Sequence, residues 1–331
     1  MKIMMLTVYF GRLPQTFKLL IESMRHNSSV DFLIITDNEL LEYDVPANVK
    51  VDFTTFEKFK RNRVSKVFKK YKMLNPYKIS DYKPMFGVLF SEELTGYDYW
   101  GFMDSDIVLG DIRTFVTDEL LKANTKLYSF GHFQIYKNND TGNNLFKVKT
   151  RDFETYQWED VAKFNQAIAF DEWSGSLGGG LSRKLYNAGF SYYDNVDYLD
   201  VYSEKYDLFM VDRPWNLKPI TNLRYIQGRL LAEIEGTKRE FLYVHFQKRQ
   251  MKVRVNRFNE YSIYQSLITD SDEEIISDQF DKKAWEETRR KRVWKHRAKM
   301  MVSYEYWYRK MKFSKPGKQV RKFVSKLRRN D

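Results

Sequence analysis

Hydrophobic positions recur along the first half of this chain with two alternating periods. Lys2–Val8 and Val30–Thr36 are mostly apolar runs of seven residues each, and Val49–Phe53 is a shorter stretch in which Val, Val and Phe alternate with Lys and Asp. Such runs, bounded by turn residues, predict buried strands. Between the first two, Phe17, Leu20, Ile21 and Met24 fall at helical spacing over residues 15–26, after the loop Tyr9-Phe10-Gly11-Arg12-Leu13-Pro14. Strand, helix and strand in that order predict a βαβ unit, hence a parallel sheet with right-handed crossovers. Residues 55–73 read as a basic helix. Pro84 is expected to open another, with Phe86, Leu89, Phe90 and Leu94 on one face, that feeds a strand at Tyr97–Met103. Lys126–Phe130 and Glu240–Phe246 read as further strands, the second of them the last strong one, and 181–188 and 195–207 as helices. The fold class expected is α/β: a mixed, mostly parallel, Rossmann-like sheet flanked by helices, with a C-terminal helical basic tail.

Composition changes this picture mainly at the C-terminus. The 331 residues are 43% hydrophobic and 17% aromatic, enough for one large α/β domain with an appendage or for two ordinary domains. There is no cysteine, so disulfides, thiolate metal sites and cysteine nucleophiles are excluded. The net charge of +12 is a property of the tail. Residues 282–331 carry 19 Lys/Arg against four acids, while the remaining 281 residues carry 37 basic and 40 acidic side chains. That shift predicts a boundary near residue 280, with a domain over 1–280 and a tail over 281–331. Within the tail, Trp294, Ala298, Met301, Tyr304, Tyr308 and Met311 recur at helical spacing, and Val320, Phe323, Val324 and Leu327 begin a second amphipathic set after Pro316-Gly317. A basic face and an aromatic face without spanning length are features of a helix lying on an anionic membrane surface. A helix packed on the protein's own core is the alternative, and nucleic-acid binding a third option without any recognition module upstream. The opening apolar run reads as a core strand rather than a signal peptide, and no stretch reaches membrane-spanning length. The expected place is the cytoplasm, peripheral at the inner face of the cell membrane.

Candidate chemistry centres on residues 97–106, Tyr-Asp-Tyr-Trp-Gly-Phe-Met-Asp-Ser-Asp, where an aromatic strand stops abruptly at two carboxylates. In extended backbone, residues two apart point to one side, so Asp104 and Asp106 can converge on one divalent cation. Their like charge discourages them from sitting together without one. Ligands of open α/β sheets bind at the carboxyl ends of strands, where this pair is expected. An Asp-rich surface turn is the bland alternative. His245, near the end of another strand, can complete a carboxylate–imidazole set acceptable to Mn²⁺, or be simply structural. Asp171 and Glu172 precede Gly175, Gly178, Gly179 and Gly180, a run that implies tight turns or close backbone approach to a ligand. By position they are the best candidates for a catalytic base, against the alternative of ordinary surface carboxylates.

This order of motifs resembles the GT-A fold of nucleotide-sugar glycosyltransferases, in particular bacterial polysaccharide-biosynthesis members with an Asp-x-Asp motif. The matching pieces are Tyr9-Phe10-Gly11 with Pro14, Ile35-Thr36-Asp37, Asp81-Tyr82-Lys83-Pro84, the Gly96–Asp106 stretch, Gly110-Asp111-Ile112, Gly131-His132-Phe133 and Tyr243-Val244-His245-Phe246-Gln247. Together they cover roughly residues 1–255. The resemblance implies that Asp104, Asp106 and His245 hold a divalent ion, Mn²⁺ first and Mg²⁺ as the alternative, bridging the donor's two phosphates. It implies that Lys83 and Lys248 lie near those phosphates and that Tyr9 and Asp37 grip the nucleoside. The sequence after the histidine, His-Phe-Gln-Lys-Arg, departs from the His-x-x-Gly-x-x-Lys pattern better known in that family. The implied activity is transfer of a hexose from a nucleotide-sugar donor, a UDP-sugar foremost, to a glycan or lipid-linked oligosaccharide acceptor.

Two other classes stay open at this level. A sugar-phosphate nucleotidyltransferase also uses carboxylate-held metal on an α/β sheet, but needs a Gly-rich loop after the first strand, where this chain has one glycine. A non-enzymatic basic nucleic-acid or scaffold protein would make Asp-Ser-Asp incidental and would bind RNA with steep salt dependence.

Overall fold

The computed structural model describes residues 1–150, 153–175, 177–212, 216–247, 249–270, 282–314, 316–317 and 319. Ile3–Tyr9 (β1), Asp31–Thr36 (β2), Val49–Phe53 (β3) and Tyr99–Met103 (β4) run parallel in the order β3-β2-β1-β4. Ile107–Leu109 (β5) follows β4 after a turn. Lys126–Leu127 (β6) and Phe133–Lys137 (β7) complete the first sheet on the β4 side, both pairings antiparallel. The result is the mixed, mostly parallel α/β sheet that the hydrophobic runs predict.

Side chains along each strand alternate between two cores, because successive residues point to opposite faces. Met4, Leu6, Leu33, Ile35, Trp100 and Phe102 lie in one core, packed with Phe86, Leu89 and Leu181 from helical segments. Ile3, Met5, Phe32, Ile34 and Tyr99 lie in the other, against Phe17, Leu20, Ile21 and Met24 of the helix Phe17–Arg25. Burial on both faces explains why these strands read as continuous apolar runs rather than as alternations.

Several expected elements differ. The basic helix shortens to Phe56–Asn62 with a 3-10 turn at Val64–Lys66, where Ser65 Oγ donates back to Arg61 O. Pro84 lies inside a 3-10 run, Pro76–Met85, and the α-helix is only Phe86–Leu89. Residues 195–207 contain a strand, Leu199–Asp200 (β8), in place of the expected helix. The expected strand Glu240–Phe246 divides at Leu242 and is followed by others. Phe209–Asp212 (β9), Asn216–Ile226 (β10), Arg229–Ile234 (β11), Thr237–Phe241 (β12), Tyr243–His245 (β13), Lys252–Arg254 (β14), Glu260–Ile263 (β15) and Leu267–Thr269 (β16) occupy this half of the body.

Seven of these form a sheet in the order β12-β11-β10-β15-β16-β14, with β9 on β10. Its β10–β11 turn places Gln227 and Gly228 at positive φ, as a tight hairpin of this twist requires. The remaining strands make a small third sheet, β5-β13-β8, that joins the two halves. Beyond the body, helices span Lys282–Met301 and Tyr304–Phe313, and no described helix is long and apolar enough to cross a membrane.

Candidate functional site

The five residues of β4 are all buried, and the strand ends where Asp104 begins a turn into β5. Asp104 N donates to His132 O at 3.0 Å, which ties that turn to the entry of β7. The third sheet then brings in a distant histidine. β13 pairs with β5 so that His245 lies opposite Ile107, and Phe246 N donates to Asp106 O at 3.1 Å. His245 Nε2 consequently sits 3.8 Å from Asp104 Oδ2 and 3.5 Å from Asp106 Oδ1. One donor atom from each of the three lies within 4.8 Å of the others. Two carboxylates and one imidazole at this spacing form a donor set that suits a divalent cation.

The surroundings fit that charge. Lys83 Nζ reaches Asp104 Oδ1 at 2.5 Å, Asp171 Oδ2 at 3.2 Å and Gly131 O at 2.7 Å. Burial alone would lower its pKa, but the carboxylates of Asp104 and Asp171 outweigh that and raise it, so the ammonium stays charged. Asp171 and Glu172 belong to the same cluster. Glu172 Oε2 accepts from Gly131 N at 2.9 Å, and Gln134 Nε2 donates to Asp171 O at 2.7 Å. Burial pushes the Asp171 carboxyl well above the usual carboxylate range against the pull of Lys83, and pushes Glu172 up against its Gly131 hydrogen bond. Gly131 is required here, because a Cβ would meet the Asp171 and Glu172 carboxylates.

Two side chains absent from the expected set complete the site. Asp200, at the end of β8, accepts from His245 Nδ1 at 2.8 Å. With Nδ1 engaged by a carboxylate, Nε2 is the nitrogen that faces Asp104 and Asp106. Burial would lower the His245 pKa, yet Asp106 and Asp200 hold it well above 6.5. A cation at this point must therefore displace a proton from the imidazole. His132 stacks on His245 with ring centroids 4.5 Å apart, and its Nδ1 lies 2.6 Å from Tyr243 Oη. Burial and the neighbouring His245 lower its pKa to about 4, so it is neutral, and among the described residues its buried Nε2 has no hydrogen-bond partner. His132 is marked only by the Gly131-His132-Phe133 piece of the resemblance, and the Asp200 position carries no local pattern that marks it; only the β5-β13-β8 pairing brings Asp200 and His245, 45 residues apart, together.

Tyr9 and Asp37 end β1 and follow β2, at the same carboxyl edge of the sheet as Asp104. Tyr9 Oη donates to Arg12 O at 2.8 Å, and Asp37 Oδ1 accepts from Gly11 N at 2.8 Å, so both shape the loop leaving β1. Lys248 lies outside the described residues.

A family model described as "Family of unknown function (DUF6625)" matches residues 5–272. The chain belongs to that family. No curated protein matches it. Among solved structures, galactosyltransferase LgtC in complex with donor and acceptor sugar analogs is similar at 9% identity, covering 60% of this chain and 75% of that one, with a TM-score of 0.35. An active-site mutant of LgtC is similar over the same shares at 9% identity, with a TM-score of 0.34.

Proposed function

We propose that this DUF6625 protein is a divalent-cation-dependent glycosyltransferase that moves a hexose from a nucleoside-diphosphate sugar to a glycan or lipid-linked oligosaccharide. The observation that carries this reading is the meeting of Asp104, Asp106 and His245 at the carboxyl edge of a central parallel strand. Glycosyl transfer develops oxocarbenium-like charge on the sugar and negative charge on the departing diphosphate. A cation held by these three residues, Mn²⁺ in the first instance, would neutralise the diphosphate in place of protonation.

The chain's own residues then have distinct work. Lys83 holds Asp104 in place and offsets the charge of Asp104, Asp171 and Glu172, with which it is surrounded. Asp200 presents His245 through the correct nitrogen. Glu172, the more exposed of the adjacent pair, serves as the base toward an acceptor hydroxyl, and burial raises its pKa. Tyr9 and Asp37 flank the nucleoside at the same edge.

A thermal-shift screen of nucleotide sugars with and without Mn²⁺ tests the reading. One donor should stabilise the chain only when the cation is present, by about 2.7 kcal/mol at a hundred-fold excess over its Kd. Equal shifts without cation, or no shift from any nucleotide sugar, would refute it.

The tail is read as the contact with an anionic membrane. Trp307, Tyr308 and Met311 turn outward at 43%, 45% and 62% exposure, amid the excess of Lys and Arg over residues 282–331. Replacing the three with serine should weaken co-sedimentation with anionic vesicles several-fold. Unchanged binding would remove the membrane role.

A further inference from the structure

We infer that the helix Tyr304–Phe313 is a positioning element for Asp171 and Glu172, acting chiefly through Glu305 and Arg309. The inference rests on the proposed role of those two carboxylates. Residues 164–172 run without helix or strand from the surface into the site. Irregular backbone that passes into a core must find partners for its amides one by one. Here they can be followed in order.

Glu305 spans the first two, its carboxylate oxygens accepting from Asn165 N and Gln166 N at 3.0 Å each. Gln166 Nε2 donates to Ser303 Oγ at 2.8 Å. Arg309 donates to Gln166 Oε1 at 3.1 Å and to Ala167 O at 3.4 Å. The next amides, Ile168 N and Phe170 N, donate to Asp81 at 2.9 Å. Gln134 holds Asp171 O. The tail helix thus supplies the outer half of a continuous set of restraints whose inner half ends on the two site carboxylates.

The same helix also touches the far side of that segment. Phe313 packs edge-on to Tyr156 at 4.7 Å and against Gly178, where any Cβ would collide with its ring. Gly178 and Gly180 close the loop that follows Glu172, through Gly175 N to Gly178 O at 2.9 Å and Gly180 N to Trp173 O at 3.1 Å. Both ends of the stretch carrying Asp171 and Glu172 are therefore in contact with residues 303–313.

The way this helix docks separates it from a passive anchor. An amphipathic helix normally buries its apolar stripe. This one buries Arg309 to 6% exposure and turns Glu305 and Lys312 to the body, with Lys312 Nζ 2.9 Å from Asp160 Oδ2, while Tyr304, Trp307 and Tyr308 face out and Phe313 packs inward. A docking face made of charged groups satisfying specific backbone atoms holds those atoms in one arrangement.

The test uses the full chain with Glu305→Ala and the conservative Glu305→Asp. Hydrogen exchange at residues 165–172 should rise about tenfold or more in Glu305→Ala, since two amides lose their acceptor. Its kcat toward a soluble acceptor should fall about tenfold or more, because displacement of catalytic groups costs rate steeply. Mn²⁺ affinity and donor KM should stay within about twofold, as β4, β5 and β13 hold Asp104, Asp106 and His245 independently. Glu305→Asp should recover much of both losses. Wild-type exchange at 165–172 in Glu305→Ala would overturn the inference. So would raised exchange with unchanged kcat. A wild-type chain inactive with every donor would instead overturn the reading of the site, while the exchange result would still decide whether the tail holds the segment.

Discussion

A chain carrying Asp104→Ala or Asp106→Ala should lose cation-dependent donor binding and transfer while keeping its fold. Asp104 and Asp106 are half-buried at a strand end, and their removal takes away contacts with Lys83 and His245 together with mutual repulsion, but no core packing. Lys83 keeps Asp171 and Gly131 O as partners when Asp104 is gone. Removing an outer-shell partner of a metal ligand lowers metal affinity roughly 10–100-fold, so removing a ligand should lower it further. Asp200→Asn supplies the intermediate case. Its amide oxygen can still accept from His245 Nδ1 without carrying the charge, and Mn²⁺ affinity should fall by about 10–100-fold. Because the imidazole must give up its proton, wild-type affinity should strengthen as pH rises above 6.5. Calorimetric titration with Mn²⁺, beside a circular-dichroism melt, reads all of this. Transfer that survives either alanine variant with undiminished cation dependence would sink the ligand assignment.

The largest effect on stability is expected at Asp81. Its carboxylate and the Lys78 ammonium form a 2.7 Å pair in which both side chains are wholly buried. Asp81 also accepts from Ile168 N and Phe170 N, and Lys78 donates to Gln166 O. Burial lowers the Lys78 pKa, against the pull of Asp81. Asp81→Ala leaves an ammonium buried without its counter-charge, a change that costs about 3–5 kcal/mol. The two amides add about 1–3 kcal/mol each unless water reaches them. Lys78→Met combined with Asp81→Ala should recover the share due to the charge and leave the share due to the amides. Denaturant midpoints of the three chains measure both. A loss below about 1 kcal/mol in Asp81→Ala would mean that the pair contributes nothing beyond its cost of burial.

Much of the frame was legible because its signals are local. The runs Lys2–Val8 and Val30–Thr36 mark strands buried on both faces, Val49–Phe53 marks the largely exposed edge strand, and the spacing of Phe17, Leu20, Ile21 and Met24 marks the helix between the first two. The antiparallel half is less legible. β11 alternates buried Leu230, Ala232 and Ile234 with more exposed neighbours, and Gln227-Gly228 and Glu235-Gly236 sit at its turns. These were usable hairpin signals, but each strand is short and its partner is known only once the sheet forms. Residues 195–207 differ from the expected helix for a related reason: β8 is two residues long and exists through its pairing with β13.

By itself the sequence determined the two periods of the sheet and its first helix, the abrupt end of an aromatic strand at Asp104-Ser105-Asp106, and the concentration of charge beyond residue 281. Each depends on residues close along the chain, where backbone geometry alone relates them. Only the tertiary structure decided that His245 meets Asp104 and Asp106, that Asp200 and His132 stand behind it, and that Lys83 lies among carboxylates. It also decided which face of the tail helix turns inward. The amphipathic pattern favours the aromatic stripe, but the unpaired amides of Asn165 and Gln166 and the carbonyl of Ala167 needed charged partners, and Glu305 and Arg309 could reach them. Which distant groups satisfy one another is set by strand pairing and by hydrogen bonds left open elsewhere, and neither is written in the spacing of residues along the chain.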